Sequence, residues 1–262
     1  MLHILKNLPF IFFIYKKIIY IYKKIIGYLI FNKNEYDRKV DKISEAFLYL
    51  SEKKKFIKEK AFLPFNGQKH RLEIINKIFK SKKIGKIYET GTYHGSTTEF
   101  LAKYKLPINT CEISPPYFFI AKDRLKKYKN IKIFNSESYL FLKKNISKNN
   151  KISFFYLDAH NDTSTSPLLL ELNTIFSKSK NFLILIDDFQ VPHDKEYGYD
   201  STGGHLLKTN YIKKFLHNSN INYYFPKKRC TYETGLKRGS IYICKGRESI
   251  KLCNSIKELI KY

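Results

Sequence analysis

The chain is predicted to fold as a doubly wound α/β domain with a seven-stranded mixed sheet, preceded by helices. Three observations predict this. From residue 84 onward, short β-branched or aromatic runs alternate with helix-like segments five times. Each run is near-continuously apolar, as in a parallel sheet covered on both faces. After the fifth run the rhythm breaks into two runs too close together for a crossover helix, which calls for an antiparallel hairpin at the sheet edge. At 262 residues there is room for one full domain with appendages. Four segments follow: a basic amphipathic helix over 1–31, a helical lead-in over 32–82, the α/β domain over 83–248 and a terminal helix over 249–262.

Taken in order, the first element is "LPFIFFIYKKIIYIYKKIIGYLIF". Lys16, Lys17, Lys23 and Lys24 repeat at seven, so on a helix they share one arc of ~120° while Ile, Tyr and Phe fill the rest. That pattern suits a helix lying in a membrane interface, because the lysine-free run is short of the ~20 residues a span needs. Docking on an anionic membrane surface and packing against the domain or a second copy both remain open. No small-residue cleavage site follows, so a signal peptide is not expected. Residues 36–82 read as two lysine-rich helices broken by "LPFNGQ" at 63–68. "IGKIYET", "PINTCEI", "IKIFN", "ISFFYLD" and "FLILIDD" are the five parallel strands. "INYYFP" and "GSIYICKG" form the hairpin, which completes a Rossmann-like sheet, and "SIKLCNSIKELIKY" closes the chain as a helix.

Lys and Arg number 49 against 23 Asp and Glu, a net charge of +26. Such an excess points to an anionic partner. Only six of those 49 cations are Arg, however, and the abundance of Lys, Ile, Asn and Tyr also fits an AT-rich coding sequence. Phosphate forks and base-edge contacts favour Arg, so no specific nucleic-acid partner is expected. The cysteines, Cys111, Cys230, Cys244 and Cys253, include no C-x-x-C pair and read as reduced, buried thiols of a cytoplasmic protein, peripheral to the membrane if the first helix docks there.

In open α/β sheets, ligands bind beyond the carboxyl ends of the strands. Four of the five parallel strands end in acids here: Glu89, Glu112, Asp158, and Asp187 with Asp188. Like charges brought together need a cation or hydrogen-bond donors to compensate them, so the rim calls for a ligand with hydroxyls, positive charge or a metal. Between Glu89 and the next helix lies "ETGTYHGST", a turn holding Gly91 and Gly95. It reads either as an ordinary strand-to-helix connection or as backbone N–H groups facing a ligand that comes very close.

With these motifs in this order, residues 64–245 resemble the class I S-adenosylmethionine-dependent methyltransferases. "ETGTYHGST" is similar to the family's first motif, with Tyr93 where a middle glycine often stands, as in the catechol-type O-methyltransferases. The resemblance implies cofactor contacts from Glu89, Gly91, Tyr93, Gly95, Ser96 and Asp158. It implies that Glu112 accepts the ribose hydroxyls, and that Glu137 and Ser138 of "NSESYLFL" reach the adenine, although Ser136 or Ser138 can equally cap a helix. "SPPY" at 114–117 looks like the signature of amino methyltransferases but follows the second strand rather than the fourth; Ser114 as N-cap and Pro115 at the first helical position account for it.

The same resemblance implies that Asp158, Asp187 and Asp188 hold Mg²⁺ or Mn²⁺ and that a base takes the acceptor's proton. Asn161 stands where the catechol-type lysine would be, and His160 where sugar O-methyltransferases carry an acid, so His160 and Asp158 are the catalytic candidates; a structural histidine is the alternative. The segment 191–204 reads as a substrate lid offering His193, Asp194, Asp200 and the neighbouring His205, and "FNGQKHR" as a cover over the cofactor through Gln68 and Arg71. The implied activity is methyl transfer to a sugar or other polyhydroxylated small acceptor or glycan. An RNA methyltransferase and a membrane-peripheral, non-catalytic binding protein on the same fold are the rival readings.

Overall fold

The computed structural model describes residues 43, 44, 49, 63–147, 150–159, 167–217 and 220–262. The expectations for the helix at 1–31, the first lead-in helix, His160 and Asn161 lie outside them. The chain divides into two compact units, Met1–Ala61 and Phe62–Tyr262, and every element below belongs to the second.

Helix α1 (Lys69–Lys80) leads into β1 (Ile84–Thr90), α2 (Ser96–Ala102), β2 (Ile108–Glu112), α3 (Pro115–Leu125), β3 (Ile131–Asn135), α4 (Ser138–Asn145), β4 (Ile152–Leu157), α5 (Leu168–Lys178) and β5 (Phe182–Asp187). A small hairpin, β6 (Ser201–Thr202) with β7 (His205–Leu206), and a short α6 (Lys213–Leu216) precede β8 (Ile221–Pro226), β9 (Ser240–Lys245), α7 (Arg247–Asn254) and β10 (Leu259–Lys261). The order across the sheet is β3-β2-β1-β4-β5-β9-β8-β10. Strands β1 to β5 are parallel, β9 runs antiparallel between β5 and β8, and β10 pairs antiparallel with β8. The sheet is doubly wound and Rossmann-like.

Burial explains why these strands lack alternation in their sequence: every residue of β2, β4 and β5 is buried. On one face Phe155 and Leu157 pack with Phe141 and Leu142 of α4 and Leu172 and Ile175 of α5. On the other, Phe154 and Tyr156 pack with Ile74, Ile75 and Ile78 of α1, Leu101 of α2 and Leu252 of α7. The sheet has eight strands rather than the expected seven, because the terminal helix ends at Asn254 and Leu259–Lys261 pairs with Tyr224–Pro226. Pairing there satisfies backbone groups on the outer edge of β8 that a continued helix would leave open. All four cysteines are buried and free. No helix among the described residues is long and apolar enough to cross a membrane.

Candidate active site

The strand order reverses between β1 and β4, and a crevice at such a reversal is where open α/β sheets bind ligands. Gly91 sits at φ 80°, and a Cβ there would stand 2.3 Å from the backbone oxygen of Asp158. Only glycine lets the turn after β1 close against the end of β4. The N–H groups of Gly91 and Thr92 both donate to the Cys111 carbonyl (3.0 Å each), fixing the turn to β2 as well. Tyr93 follows at φ 49°, so the residue that replaces the usual glycine keeps the glycine-like backbone. Its ring stacks on His94 at 4.0 Å and meets Tyr117 edge-on at 4.5 Å. Gly95, at φ 79°, caps α2, and half-buried Ser96 is that helix's first residue.

Of the sequence-predicted cofactor residues outside the turn itself, Glu112 and the Asp158 backbone meet it. Glu112, at the end of β2, accepts the Tyr93 N–H on Oε2 and the Ser114 N–H on Oε1, both at 2.8 Å. One carboxylate thus ties the glycine-bearing turn to the start of α3, where Ser114 is N-cap without a side-chain cap bond. Glu89 is buried and accepts the hydroxyls of Thr98 and of Thr110 (2.6 Å for the latter). Ser138 opens α4, but its hydroxyl caps nothing: the Oγ is buried without a hydrogen-bond partner among the described residues. Neighbouring Glu137 is exposed. A buried hydroxyl without a partner at the start of α4 is an open polar position that a polar ligand would satisfy.

The aspartate rim is compensated from within the chain. Arg71 of α1, 2% exposed, donates Nη1 to Asp187 Oδ1 and Nη2 to the carbonyls of Arg238 and Gly239. Burial alone would lower the Arg71 pKa; the Asp187 charge, together with Tyr156, Tyr242 and Asp188, outweighs this and holds it above its usual value. Arg238 donates Nε to Asp188 (2.6 Å) and Nη2 to Asp200. The backbone that aims these groups is set by Asn66 and Phe65, at φ 60° and 50°, and by Asp188 at φ 50°. The N–H groups of His70 and Arg71, which open α1, both donate to the Glu233 carboxylate (3.0 and 3.3 Å), the placement a helix dipole favours for an acid.

A carboxylate offers about four acceptor positions. Those of Asp187 are taken by Arg71 and the Asp188 N–H (2.8 Å) on Oδ1, and by Tyr156 OH (2.6 Å) and Asn66 Nδ2 (3.1 Å) on Oδ2. The expected Mg²⁺ or Mn²⁺ held jointly by Asp158, Asp187 and Asp188 does not fit this donor set. Among the described residues no group of three His, Cys, Asp or Glu is placed to hold a metal. The rim's positive charge is supplied by Arg71 and Arg238. Sequence reasoning gave Arg71 a different role and passed over Arg238, Asn66 and Tyr156, although Arg is scarce in this lysine-rich chain and its rigid fork suits buried pairing.

Other expectations for the surrounding loops also change. Gln68 is buried and bonds Arg238 through both ends of its amide, donating to the carbonyl (2.9 Å) and accepting the N–H (3.0 Å). Together with the Arg71 pair, this pins 65–71 under the rim instead of presenting it to a cofactor. The segment 191–204 is likewise tied down. His193 contacts Tyr262 OH (2.7 Å) and the Pro226 carbonyl (3.0 Å), Asp194 accepts the Cys230 N–H (2.6 Å), and Asp200 pairs with Arg238. His205 stacks on Tyr211 at 5.1 Å.

Three acids of the rim hold their protons unusually well. Burial, with a contribution from the Glu112 charge, raises Glu89 to about 7 against the pull of its two threonine hydroxyls. Burial and then the Asp187 charge raise Asp188 to about 7, while burial and the charges of Asp187 and Asp188 lift Asp158 well above the carboxylate range. For an acid raised in the folded state, the native protein binds more protons than the unfolded chain, so stability falls as pH rises between the two values. Glu89 therefore costs stability progressively from pH about 4.5 to about 7, on the order of 3 kcal/mol in total. Glu89→Gln, which mimics the protonated acid, is expected to raise the melting temperature at pH 8 and to change it little at pH 5. An equal effect at both pH values would contradict the assignment.

No family model matches the chain. A segment is similar to the ribosomal RNA small subunit methyltransferase A of Caldanaerobacter subterraneus subsp. tengcongensis, 34% identical over 67 residues, covering 24% of this chain and 25% of that protein. The match thus spans a quarter of the curated relative's length. Among solved structures, an O-methyltransferase from Bacillus cereus in complex with SAH is similar at TM-score 0.49 and 13% identity, over 86% of this chain and 95% of that one. A SAM-dependent methyltransferase from Aquifex aeolicus is similar at TM-score 0.48 and 13% identity, over 72% and 96% of the two chains.

Proposed function

We propose that the chain is an S-adenosylmethionine-dependent methyltransferase acting on a hydroxyl of a sugar or other polyhydroxylated small acceptor. One observation carries the reading: a turn built around Gly91 and Gly95 at the strand-order reversal, with the Glu112 carboxylate bonded to its Tyr93 N–H. When bound, the cofactor supplies an electrophilic methyl group on a sulfonium. Glu112 would hold the ribose hydroxyls, Ser138 the adenine edge, and the turn from Gly91 to Ser96 would close over the chain between them. Glu89 stands behind that turn and fixes it through Thr98 and Thr110.

An acceptor hydroxyl must lose its proton as it attacks, and a base works best with a pKa near the working pH. Asp158 is the first candidate: it is partly exposed at the end of β4, burial and the charges of Asp187 and Asp188 raise its pKa, and its Oδ2 lies 3.0 Å from the Tyr156 oxygen, whose own proton goes to Asp187. His160, two residues on, is the second candidate. Divalent-metal assistance is not part of the reading, because Asp187 and Asp188 are engaged by Arg71, Arg238 and their neighbours. The RNA reading rests on the +26 charge and meets the same test.

Transfer of a labelled methyl group from S-adenosylmethionine should be screened over nucleotide sugars, lipid-linked glycans and structured RNA, with and without chelator. Uptake by a hydroxylated glycan acceptor, unchanged by chelator and lowered ~10²–10⁴-fold in Asp158→Asn, is expected. Uptake by RNA alone would overturn the acceptor class, and loss of turnover in chelator would overturn the metal-free assignment.

A further inference from the structure

A second concavity lies on the same rim as the candidate active site. Strand β8 is parallel to β5, since each runs antiparallel to β9 between them. Tyr224 of β8 and Leu185 of β5 share the partner Tyr242, so two residues further on Pro226 stands level with Asp187. Lys227 therefore leaves the sheet one residue past the level of Asp187, two strand spacings or ~10 Å to the side. From there Lys227, Lys228, Arg229, Tyr232, Lys257 and Glu258 line a cavity of about 500 Å³.

The charge of this cavity is unbalanced. Its one acid, Glu258, already accepts Lys77 at 2.6 Å. Lys228 lies 3.0 Å from His70 Nδ1 and 3.4 Å from Glu73. The side chains of Lys227, Arg229 and Lys257 have no hydrogen bond or ion pair among the described residues. Three cations gathered without an anion repel one another, and a bound anion would remove that cost. The backbone around them is fixed: the Lys227 N–H donates to the Glu258 carbonyl (2.7 Å) and Tyr197 OH to the Lys228 carbonyl (3.0 Å). Arg229 offers a planar fork that matches phosphate oxygens, and Tyr232, 67% exposed, offers a ring face beside it.

We propose that this cavity binds the diphosphate of the methyl acceptor, which places the acceptor among diphosphate-linked molecules, nucleotide or lipid. Its role as an acceptor subsite rests on the methyltransferase reading; its affinity for diphosphate does not. A single phosphate carries a charge of about −1.5 to −2, too little to match three unpaired cations, whereas a diphosphate comes close. Volume agrees, because cavities of ~300–1,000 Å³ are the usual size for small-molecule sites.

The full chain should be titrated calorimetrically with inorganic pyrophosphate at about physiological salt, alongside Arg229→Gln, Lys257→Gln and the double variant. Saturable binding is expected, weakened ~10–100-fold in each single variant by loss of a charge-assisted contact, with S-adenosylhomocysteine binding unchanged. UDP in solution and phosphatidylcholine vesicles carrying farnesyl diphosphate then separate the two sources: the true one shows the same dependence on Arg229 and Lys257. No pyrophosphate binding by a chain that binds S-adenosylhomocysteine would overturn the proposal and leave the methyltransferase reading standing. Pyrophosphate affinity equal in all variants would overturn it too, as would capture of single-stranded RNA without any pyrophosphate binding. Variant-sensitive pyrophosphate binding without S-adenosylhomocysteine binding would support the cavity and sink the methyltransferase reading.

Discussion

Replacing Asp187 with Ala is expected to destabilise the folded protein by about 3–5 kcal/mol, the cost of leaving a buried guanidinium without its anion. Arg71 cannot swing out to water: it is 2% exposed, and its Nη2 is held by two carbonyls of the 238–239 loop. Arg71→Met should cost a similar amount, because Asp187 would then lie buried beside Asp158 and Asp188 without its cation, held only by the neutral donors Asn66, Tyr156 and the Asp188 N–H. The double variant Arg71→Met/Asp187→Asn should lose clearly less than the sum of the two, since neither charge remains. Urea denaturation of the four proteins measures this. Single variants within about 1 kcal/mol of the wild type would show that the pair is not what offsets the acidic rim.

The second large effect is expected at Gly91. A methyl group there has to adopt a left-handed backbone, costing ~1–2 kcal/mol, and displace the Asp158 backbone oxygen from 2.3 Å, costing a further ~1–3 kcal/mol. Gly91→Ala should therefore lose ~2–5 kcal/mol of stability and bind S-adenosylhomocysteine at least tenfold more weakly, because it opens the crevice between β1 and β4. Gly204→Ala is the control. Gly204 has φ 75° but nothing within 4 Å of a Cβ, so that variant carries the backbone cost without the clash. Equal losses in the two variants would mean that the close approach of the two loops contributes nothing.

The central parallel strands were legible because burial on both faces leaves its mark in the chain: "ISFFYL" and "FLILID" are near-continuously apolar, and Ile152–Leu157 and Phe182–Asp187 are buried throughout, whereas "IKIFN" at the sheet edge exposes Lys132 and Asn135. The rim acids were legible for a related reason, since a strand of known end predicts what stands beyond it. Their compensation was not. Arg71 and Asp187 are 116 residues apart, and the Arg71 contact with the Arg238 carbonyl spans 167. No local period links such partners. The need for a positive charge could be inferred from the acids, but not that the chain itself supplies it in place of a metal. The strand Leu259–Lys261 was hidden differently: its residues continue the amphipathic spacing of α7, and only the open edge of β8 decides against a helix.

The most direct test is a calorimetric titration of the wild-type chain with S-adenosylhomocysteine. The methyltransferase account predicts saturable binding of one ligand per chain. It predicts further that Glu112→Ala, which removes the carboxylate held by the Tyr93 and Ser114 N–H groups, weakens binding by ~1–3 kcal/mol. No detectable binding to the folded wild type would contradict it, leaving a non-catalytic protein on the same sheet.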